Sequence, residues 1–112
     1  MGRLIEAEVL DDEKFARRYA EDKRELRGWG PDRIAEALRS RGVAEEHVDA
    51  AIAAEDAGAV VDRAIAILDA AGAPVGDEAG RARALSLLAR RGYPLEAAYD
   101  AVRAMERRPR AA

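Results

Sequence analysis

Two stretches of the chain carry the same short pattern, fifty residues apart. The first is LRSRGVAEEHVDAAI, residues 38–52, and the second is LARRGYPLEAAYDAV, residues 88–102. The copies share a leucine, an arginine, a glycine, a glutamate and an alanine, and the last position changes only from Ile52 to Val102. A fixed offset of this size indicates that a supersecondary unit has been duplicated. We therefore predict an array of repeats, an architecture that usually offers extended surfaces for binding.

Segments with a helical apolar period follow one another as far as Met105, and no segment shows the alternating pattern of a strand. We predict an all-α fold of tandem three-helix repeats, with two full units forming a curved helical array. A chain of 112 residues buries only about two-thirds of its unfolded surface, so we expect neither unit to be stable alone. The predicted bounds are a partial N-terminal helix over 1–10, repeats over 11–54 and 55–106, and a flexible tail over 107–112.

The helix boundaries are predicted from a few local signals. Asp11-Asp12 supplies an N-cap for the first long helix, whose mostly apolar stripe is predicted to reach Leu26. Pro31 is placed at the start of the second helix, where its missing N–H is not needed. Gly42 is predicted to end that helix in the left-handed conformation. Asp77 is predicted to cap the fifth helix.

The composition excludes several kinds of site. The chain has no cysteine and a single histidine, His47, so thiol chemistry is excluded and a metal site lacks ligands. Adjacent carboxylates occur at Asp11-Asp12, Glu45-Glu46 and Asp77-Glu78, each at a predicted helix start, where acidic side chains favour the helix dipole. We therefore expect no catalytic residues, no metal, no cofactor and no small-molecule substrate, and we predict that the protein is not an enzyme.

Charge and hydropathy limit the kinds of partner. The net charge is −3; residues 1–56 carry 10 basic and 15 acidic side chains, and residues 57–112 carry 9 and 7. A protein that binds nucleic acid mainly through phosphates is normally strongly basic. No apolar run approaches the roughly 18 residues of a membrane span, and the N-terminus lacks a secretory pattern. We expect a cytoplasmic protein with no membrane partner.

Arginine and tryptophan side chains remain as candidates for contact with a partner. Trp29, the only tryptophan, lies between two glycines. Two interpretations stay open, a wedge that fills the corner between the first two helices or an anchor at an interface. Arginine suits interfaces because its planar guanidinium binds carboxylates and phosphates through two hydrogen bonds. The candidate partner-binding residues are Arg24, Arg27, Arg33, Arg39, Arg41, Arg90 and Arg91.

A longer pattern runs through the first unit: Leu10-Asp11-Asp12, Phe15-Ala16, Tyr19, Trp29-Gly30, Arg33-Ile34, Leu38 and Gly42-Val43. This pattern resembles the second repeat of the RecX family of bacterial recombinase modulators. The segment LLARRGY, residues 87–93, is similar to the third repeat of the same family, and the resemblance covers residues 4–105. The motif residues given a structural role by this resemblance are Phe15, Tyr19, Trp29, Gly30, Ile34, Leu38, Gly42, Leu88 and Gly92.

The resemblance implies tandem three-helix repeats that form a curved rod. It also implies that the chain binds in the helical groove of the RecA–DNA filament and opposes recombinase activity. We expect the RecA filament as the partner and allow indirect contact with the filament DNA. Members of the family carry a further three-helix repeat before the Leu-Asp-Asp signature. From the sequence we expect that repeat to be missing, with residues 1–10 in its place.

Two other functions stay open. A helix-turn-helix nucleic-acid-binding module would place helix 31–41 in the major groove of a duplex, although the acidic first unit opposes such binding. A truncated repeat fragment would bind its partner weakly, because the loss of a neighbouring repeat exposes apolar surface. The side chains expected to form that surface are Leu4, Ile5 and Val9.

Overall fold

Six α-helices joined by short turns form the described part of the chain. The computed structural model describes residues 2–108, and for residues 2–11 it describes the backbone alone. A π-helical turn, Lys23–Arg27, directly follows the first helix, and no strand occurs within residues 2–108. The helices are α1 (Gly2–Asp22), α2 (Pro31–Ser40), α3 (Glu45–Ala53), α4 (Ala57–Ala70), α5 (Glu78–Arg90) and α6 (Leu95–Arg107).

Each half of the chain has its own hydrophobic core. α1 and α2 both pack on α3, and α4 and α5 both pack on α6. The predicted all-α fold of two three-helix repeats is therefore confirmed, whereas the limits 11–54 and 55–106 stay predictions. The largest fully buried side chains are Ile34, Leu38 and Val48 in the first core and Leu68, Leu88 and Val102 in the second.

The duplicated pattern folds into the same turn twice. Gly42, after α2, has a φ of +81°, and its N–H donates to the Arg39 carbonyl over 2.9 Å. Gly92, after α5, has a φ of +91°, and its N–H donates to the Ala89 carbonyl over 3.0 Å. Glycine suits both positions because it has no β-carbon to disfavour the left-handed region. The predicted left-handed end of α2 is confirmed.

Other helix starts follow the predicted chemistry. Pro31 is the first residue of α2. At the start of α5 the Asp77 carboxylate accepts a hydrogen bond from the Gly80 N–H over 2.6 Å. At the start of α4 the Asp56 carboxylate accepts one from the Gly58 N–H over 2.9 Å. These caps satisfy N–H groups that have no partner within their helices.

The predicted helix start at Asp11-Asp12 is wrong, because α1 runs from Gly2 to Asp22 without a break. The residues before Asp11 are mostly good helix formers, so the helix continues through the two aspartates. The Arg108 side chain, assigned to the predicted tail, pairs with Asp69 of α4 over 2.6 Å. The side chains of Leu4, Ile5 and Val9 and the tail residues 109–112 lie outside the described residues.

Leu26 does not continue the apolar stripe of α1 as predicted, since it is 78% exposed. Phe15, which begins the same stripe, is itself 42% exposed, whereas the neighbouring Ala16 and Ala20 are fully buried. The buried face of α1 therefore carries these alanines and not the predicted stripe, and Leu26 lies in the π-helical turn Lys23–Arg27. Gly28 then ends the turn in the left-handed conformation, with a φ of +66°.

The two repeats follow one another along a long axis. The described chain measures 65 × 21 × 20 Å and has a radius of gyration of 16.7 Å. A compact domain of similar length has a radius of gyration of about 13 Å. The molecule is therefore an elongated body, and its length exposes a large surface for its mass.

Candidate partner-binding site

The turn that begins α2 docks directly on the turn that ends α5. The Gly30 N–H donates to the Arg91 carbonyl over 2.8 Å, and the Asp32 N–H donates to the Gly92 carbonyl over 2.9 Å. A β-carbon on Gly30 would overlap the Gly92 carbonyl, and one on Gly92 would overlap the backbone of Arg33. The two glycines therefore allow the two repeats to meet backbone to backbone. We call this contact the inter-repeat joint.

Arg63 of α4 ties the two sides of the inter-repeat joint together. Its Nε donates to the Tyr93 hydroxyl over 2.9 Å, and its Nη2 donates to the Trp29 carbonyl over 3.0 Å. Its Nη1 pairs with Glu55, whose other carboxylate oxygen lies 3.2 Å from Nε of Arg24. The three charged side chains are only 12–16% exposed. Their pairing is therefore shielded from water, and removing one charge would leave its partners uncompensated.

Tyr93 completes the joint from the second repeat. Its hydroxyl donates to the Gly28 carbonyl over 2.9 Å and accepts from Arg63, and the residue is 3% exposed. Burial raises the pKa of the Tyr93 hydroxyl above its ordinary value of 10.0, while the nearby Arg63 guanidinium acts in the opposite direction. The hydroxyl therefore stays protonated and keeps donating to the carbonyl. Backbone and side-chain contacts together hold the two repeats as one body.

A line of aromatic rings and cations crosses the surface of the first repeat. The ring centroids of Phe15 and Tyr19 are 5.6 Å apart, and those of Tyr19 and Trp29 are 6.4 Å apart. The Lys23 ammonium lies 5.3 Å from the Tyr19 ring and 4.9 Å from the Trp29 ring. The Arg41 guanidinium lies 5.0 Å from the Tyr19 ring. Ring faces attract cations at these distances, so Tyr19 and Trp29 hold the two cations in place.

The line continues onto the second repeat through Arg33. Its guanidinium carbon lies 4.3 Å from the Trp29 ring, and its Nη1 donates to the Arg90 carbonyl across the joint over 3.4 Å. Arg90 shares a shallow depression on α5 with Arg83 and Ser86. We call this surface the cation–aromatic stripe. It comprises Phe15, Tyr19, Lys23, Trp29, Arg33, Arg41, Arg83 and Arg90.

Only part of the predicted arginine set lies on this stripe. Arg33, Arg41 and Arg90 belong to it. Arg27 is exposed at the end of the π-helical turn, and Arg91 is half-buried beside the joint. The structure therefore brings three of the seven candidate arginines onto one surface.

Two of the predicted arginines are used within the chain. Arg24 pairs with Glu55, and its Nη2 also donates to the Ala51 carbonyl over 2.7 Å. Arg39 forms a two-pronged pair with Glu45, with nitrogen–oxygen distances of 2.6 to 3.0 Å. These hydrogen bonds hold the pKa of the exposed Glu45 carboxyl below its ordinary value. Arg24 is thus a residue of the joint network, and Arg39 links α2 to α3.

The motif residues lie in the cores, the joint and the stripe. Ile34, Leu38 and Leu88 are fully buried in the cores. Trp29 is half-buried against the first core, as a wedge would be, and its ring also carries Arg33 and Lys23. Of the remaining motif residues, Gly30 and Gly92 lie in the joint and Gly42 lies in the open turn after α2. Phe15 and Tyr19 lie on the stripe.

Four residues of the joint and stripe were not singled out from the sequence. Lys23 follows Tyr19 by four positions, and Arg83 precedes Arg90 by seven, so helical spacing could have found both. Arg63 directly precedes the buried Ala64, which places a cation at the edge of an apolar face. Nothing in the sequence marks Glu55 as its partner.

The chemistry of the stripe is that of a binding surface. Guanidinium groups stay protonated and act as hydrogen-bond donors, and the rings offer apolar faces. Within residues 12–108, whose side chains are described, no three His, Cys, Asp or Glu side chains are placed to hold a metal ion. Across the same described part of the chain, no helix has the length and apolar character required to cross a membrane.

Comparison with known proteins finds a matching domain and similar proteins. A family model described as RecX, second three-helix domain, matches residues 11–52. Proteins named Regulatory protein RecX are similar over most of the chain. The one from Mycobacterium sp. (strain JLS) is 34% identical over 109 residues, which cover 91% of this chain and 60% of that protein.

Two further proteins with the same name are similar to the chain to the same degree. The protein from Mycolicibacterium vanbaalenii is 34% identical over 113 residues, covering 93% of this chain and 61% of that protein. A protein from Thermus thermophilus is 34% identical over 103 residues, covering 92% of this chain and 66% of that protein. The chain thus spans about three fifths of the length of the mycobacterial relatives. No solved structure matches it significantly. The family match and the relatives together show that residues 11–52 match the second three-helix domain of RecX and that the chain is similar to RecX proteins over most of its length.

Proposed function

We propose that the chain is a non-enzymatic regulator that binds the RecA recombinase filament and inhibits its recombination and ATPase activities. The observation that carries this proposal is the similarity of the chain to proteins named Regulatory protein RecX, together with the match of residues 11–52 to a RecX domain. The resemblance of the sequence to that family implies RecA as the partner. The proposal places the chain in the bacterial cytoplasm and gives it contact with DNA only through the filament.

The shape of the chain supports docking along a filament. The body is 65 Å long and about 20 Å across, and the joint holds its two repeats together. Repeat arrays bind through extended surfaces of this kind. Because the joint is made by Gly30 and Gly92, residues of the duplicated pattern and the family motif fix the relative placement of the two repeats.

A helix-turn-helix function has less support. In such modules the N-terminal residues of the recognition helix contact the bases of a duplex. Here the N-terminus of α2 is covered, since the N–H groups of Gly30 and Asp32 donate to the second repeat. The exposed side chains of α2 include Asp32 and Glu36, whose charge repels phosphates. Steep salt dependence of binding to a protein-free duplex would support that alternative.

The DNA-dependent ATPase rate of RecA tests the proposal. We expect the rate to fall as the chain is added at micromolar concentrations, because a protein bound along the filament opposes its activity. An unrelated helical protein of equal net charge serves as the control. An unchanged rate, together with no co-sedimentation of the chain with preformed filaments, would overturn the proposal. Co-sedimentation without a change in rate would support binding and contradict inhibition.

A further inference from the structure

We propose that the cation–aromatic stripe is the docking surface of the chain, and that it recognises carboxylate side chains on the surface of the recombinase. This inference rests on the proposed function and names the surface and the chemistry of contact. The stripe crosses both repeats, so it can meet the partner along the body of the chain. Five of its eight residues carry a positive charge.

The cations of the stripe have no anionic partner within the described part of the chain. The ion pairs there use other basic side chains, among them Arg24, Arg39, Arg63 and Arg81. Lys23, Arg33 and Arg41 instead lie against aromatic rings. Their hydrogen-bonding groups thus stay available for carboxylates brought by a partner, apart from the single Arg33 hydrogen bond to the Arg90 carbonyl.

The rings fix where these cations lie before a partner arrives. Arg33 is held between the Trp29 ring and the Arg90 carbonyl, and Lys23 lies between the Tyr19 and Trp29 rings. Ordering a long side chain on binding costs conformational entropy, so a side chain that is already held loses less. A guanidinium held in this way can still offer two parallel N–H groups to one carboxylate. The arrangement therefore favours a partner with carboxylates at defined places.

The observations favour carboxylates over the phosphates of a nucleic acid. The first repeat, which carries most of the stripe, lies within residues 1–56, where 15 acidic side chains exceed 10 basic ones. A polyanion with a long-range field is repelled more strongly by such a surplus than a single carboxylate in local contact is. Single strands also need free ring faces on which bases stack. The Tyr19 and Trp29 rings are occupied by cations.

Equilibrium binding to preformed RecA filaments on single-stranded DNA tests the inference. The full chain, carrying a fluorescent label, is titrated with filaments and separately with the same oligonucleotide free of protein. The variant Arg33→Gln/Arg41→Gln removes two stripe charges. The control Arg39→Gln/Arg103→Gln removes two exposed arginine charges outside the stripe, one from each repeat. Circular dichroism during thermal melting verifies that each variant is folded.

We expect the stripe variant to bind filaments roughly tenfold more weakly or worse, as expected when close charge pairs lose a partner. The control variant should bind like the unchanged chain, and Arg33→Lys/Arg41→Lys should recover part of the affinity. Equal binding by the stripe and control variants would overturn the inference while the proposed function stands. Failure of the unchanged chain to bind would overturn the proposed function itself. Binding to the free oligonucleotide that is as tight as binding to filaments, and is lost in the stripe variant, would assign the stripe to phosphates and overturn the carboxylate assignment.

Discussion

Gly30 and Gly92 meet so closely that neither position has room for a β-carbon. Gly30 has a φ of −83° and a ψ of 169°, an extended conformation that any residue adopts, so its requirement for glycine is purely steric. Gly92 has a φ of +91° and is restricted by conformation as well. Gly42 occupies the same turn in the first repeat, yet a β-carbon there would meet nothing within 4 Å. The duplicated turn thus serves as a docking point in one repeat and stays open in the other.

Gly30→Ala should separate the two repeats at the joint. We expect the free energy of unfolding to fall by about 2–3 kcal/mol, because the added methyl group overlaps the Gly92 carbonyl. Urea denaturation measures that loss. Hydrogen exchange of the Asp32 amide should accelerate, since that N–H donates across the joint.

Gly42→Ala is the matched control for the joint. It should lower the free energy of unfolding by about 1–2 kcal/mol, because alanine is strained in the left-handed conformation that Gly42 adopts. The Asp32 amide should exchange as slowly as in the unchanged chain. Fast exchange of that amide in Gly42→Ala, or slow exchange in Gly30→Ala, would contradict the steric role assigned to Gly30.

Glu55→Gln should lower the free energy of unfolding more than the loss of an exposed ion pair does. The substitution leaves Arg24 and Arg63 shielded from water without a countercharge, which costs about 3 kcal/mol. Glu45→Gln, which removes the exposed partner of Arg39, should have a smaller effect. Chemical denaturation of both variants provides the measurement, and equal losses would show that the Glu55 pairs behave like surface pairs.

The free energy of unfolding should fall at alkaline pH because the buried Tyr93 hydroxyl loses its proton. Its pKa is raised in the folded state by burial, so the folded state holds this proton more tightly than the unfolded state does. The contribution of this proton to the free energy of unfolding is fully present below the ordinary tyrosine pKa of about 10. It is lost as pH rises through the raised pKa of the folded state. Urea midpoints measured from pH 8 upward should show a decline that weakens in Tyr93→Phe. Tyr99→Phe, at a 39% exposed position, should leave the decline unchanged.

Arg39→Gln should move the pKa of Glu45 upward toward its ordinary value. The hydrogen bonds from Arg39 hold that pKa low, so their contribution to stability is present above the unfolded pKa and is lost as pH falls through the folded one. Carboxyl chemical shifts followed by NMR during an acid titration measure the change. No movement of the Glu45 titration would mean that the pair does not form in solution.

Short-range signals predicted much of the fold. The repeated turn, the start of α2 at Pro31, the end of α2 at Gly42 and the cap at Asp77 each depend on residues only a few positions apart. The predicted helix start at Asp11-Asp12 is wrong because a good capping residue does not interrupt a helix when the residues before it also favour helix. The stripe predicted to reach Leu26 is not the buried face of α1, because the helix packs through the small side chains of Ala16 and Ala20.

The candidate site depends on long-range contacts, so the sequence named many of its residues but not how they are arranged. Arg33 and Arg39 look alike in the sequence, yet one lies on the Trp29 ring and the other is paired with Glu45. The Arg63 hydrogen bonds reach Tyr93 and Trp29, which are 30 and 34 positions away. Packing within and between the repeats decides which charged side chains are paired within the chain and which stay available to a partner.

Electron cryo-microscopy of RecA filaments saturated with the chain tests the central claim most directly. We expect density for both repeats lying along the groove of the filament, in the relative placement set by Gly30 and Gly92. The edge that carries Arg33 and Arg41 should face carboxylate side chains of RecA. Bare filaments under saturating conditions would contradict the claim that this chain docks on the recombinase.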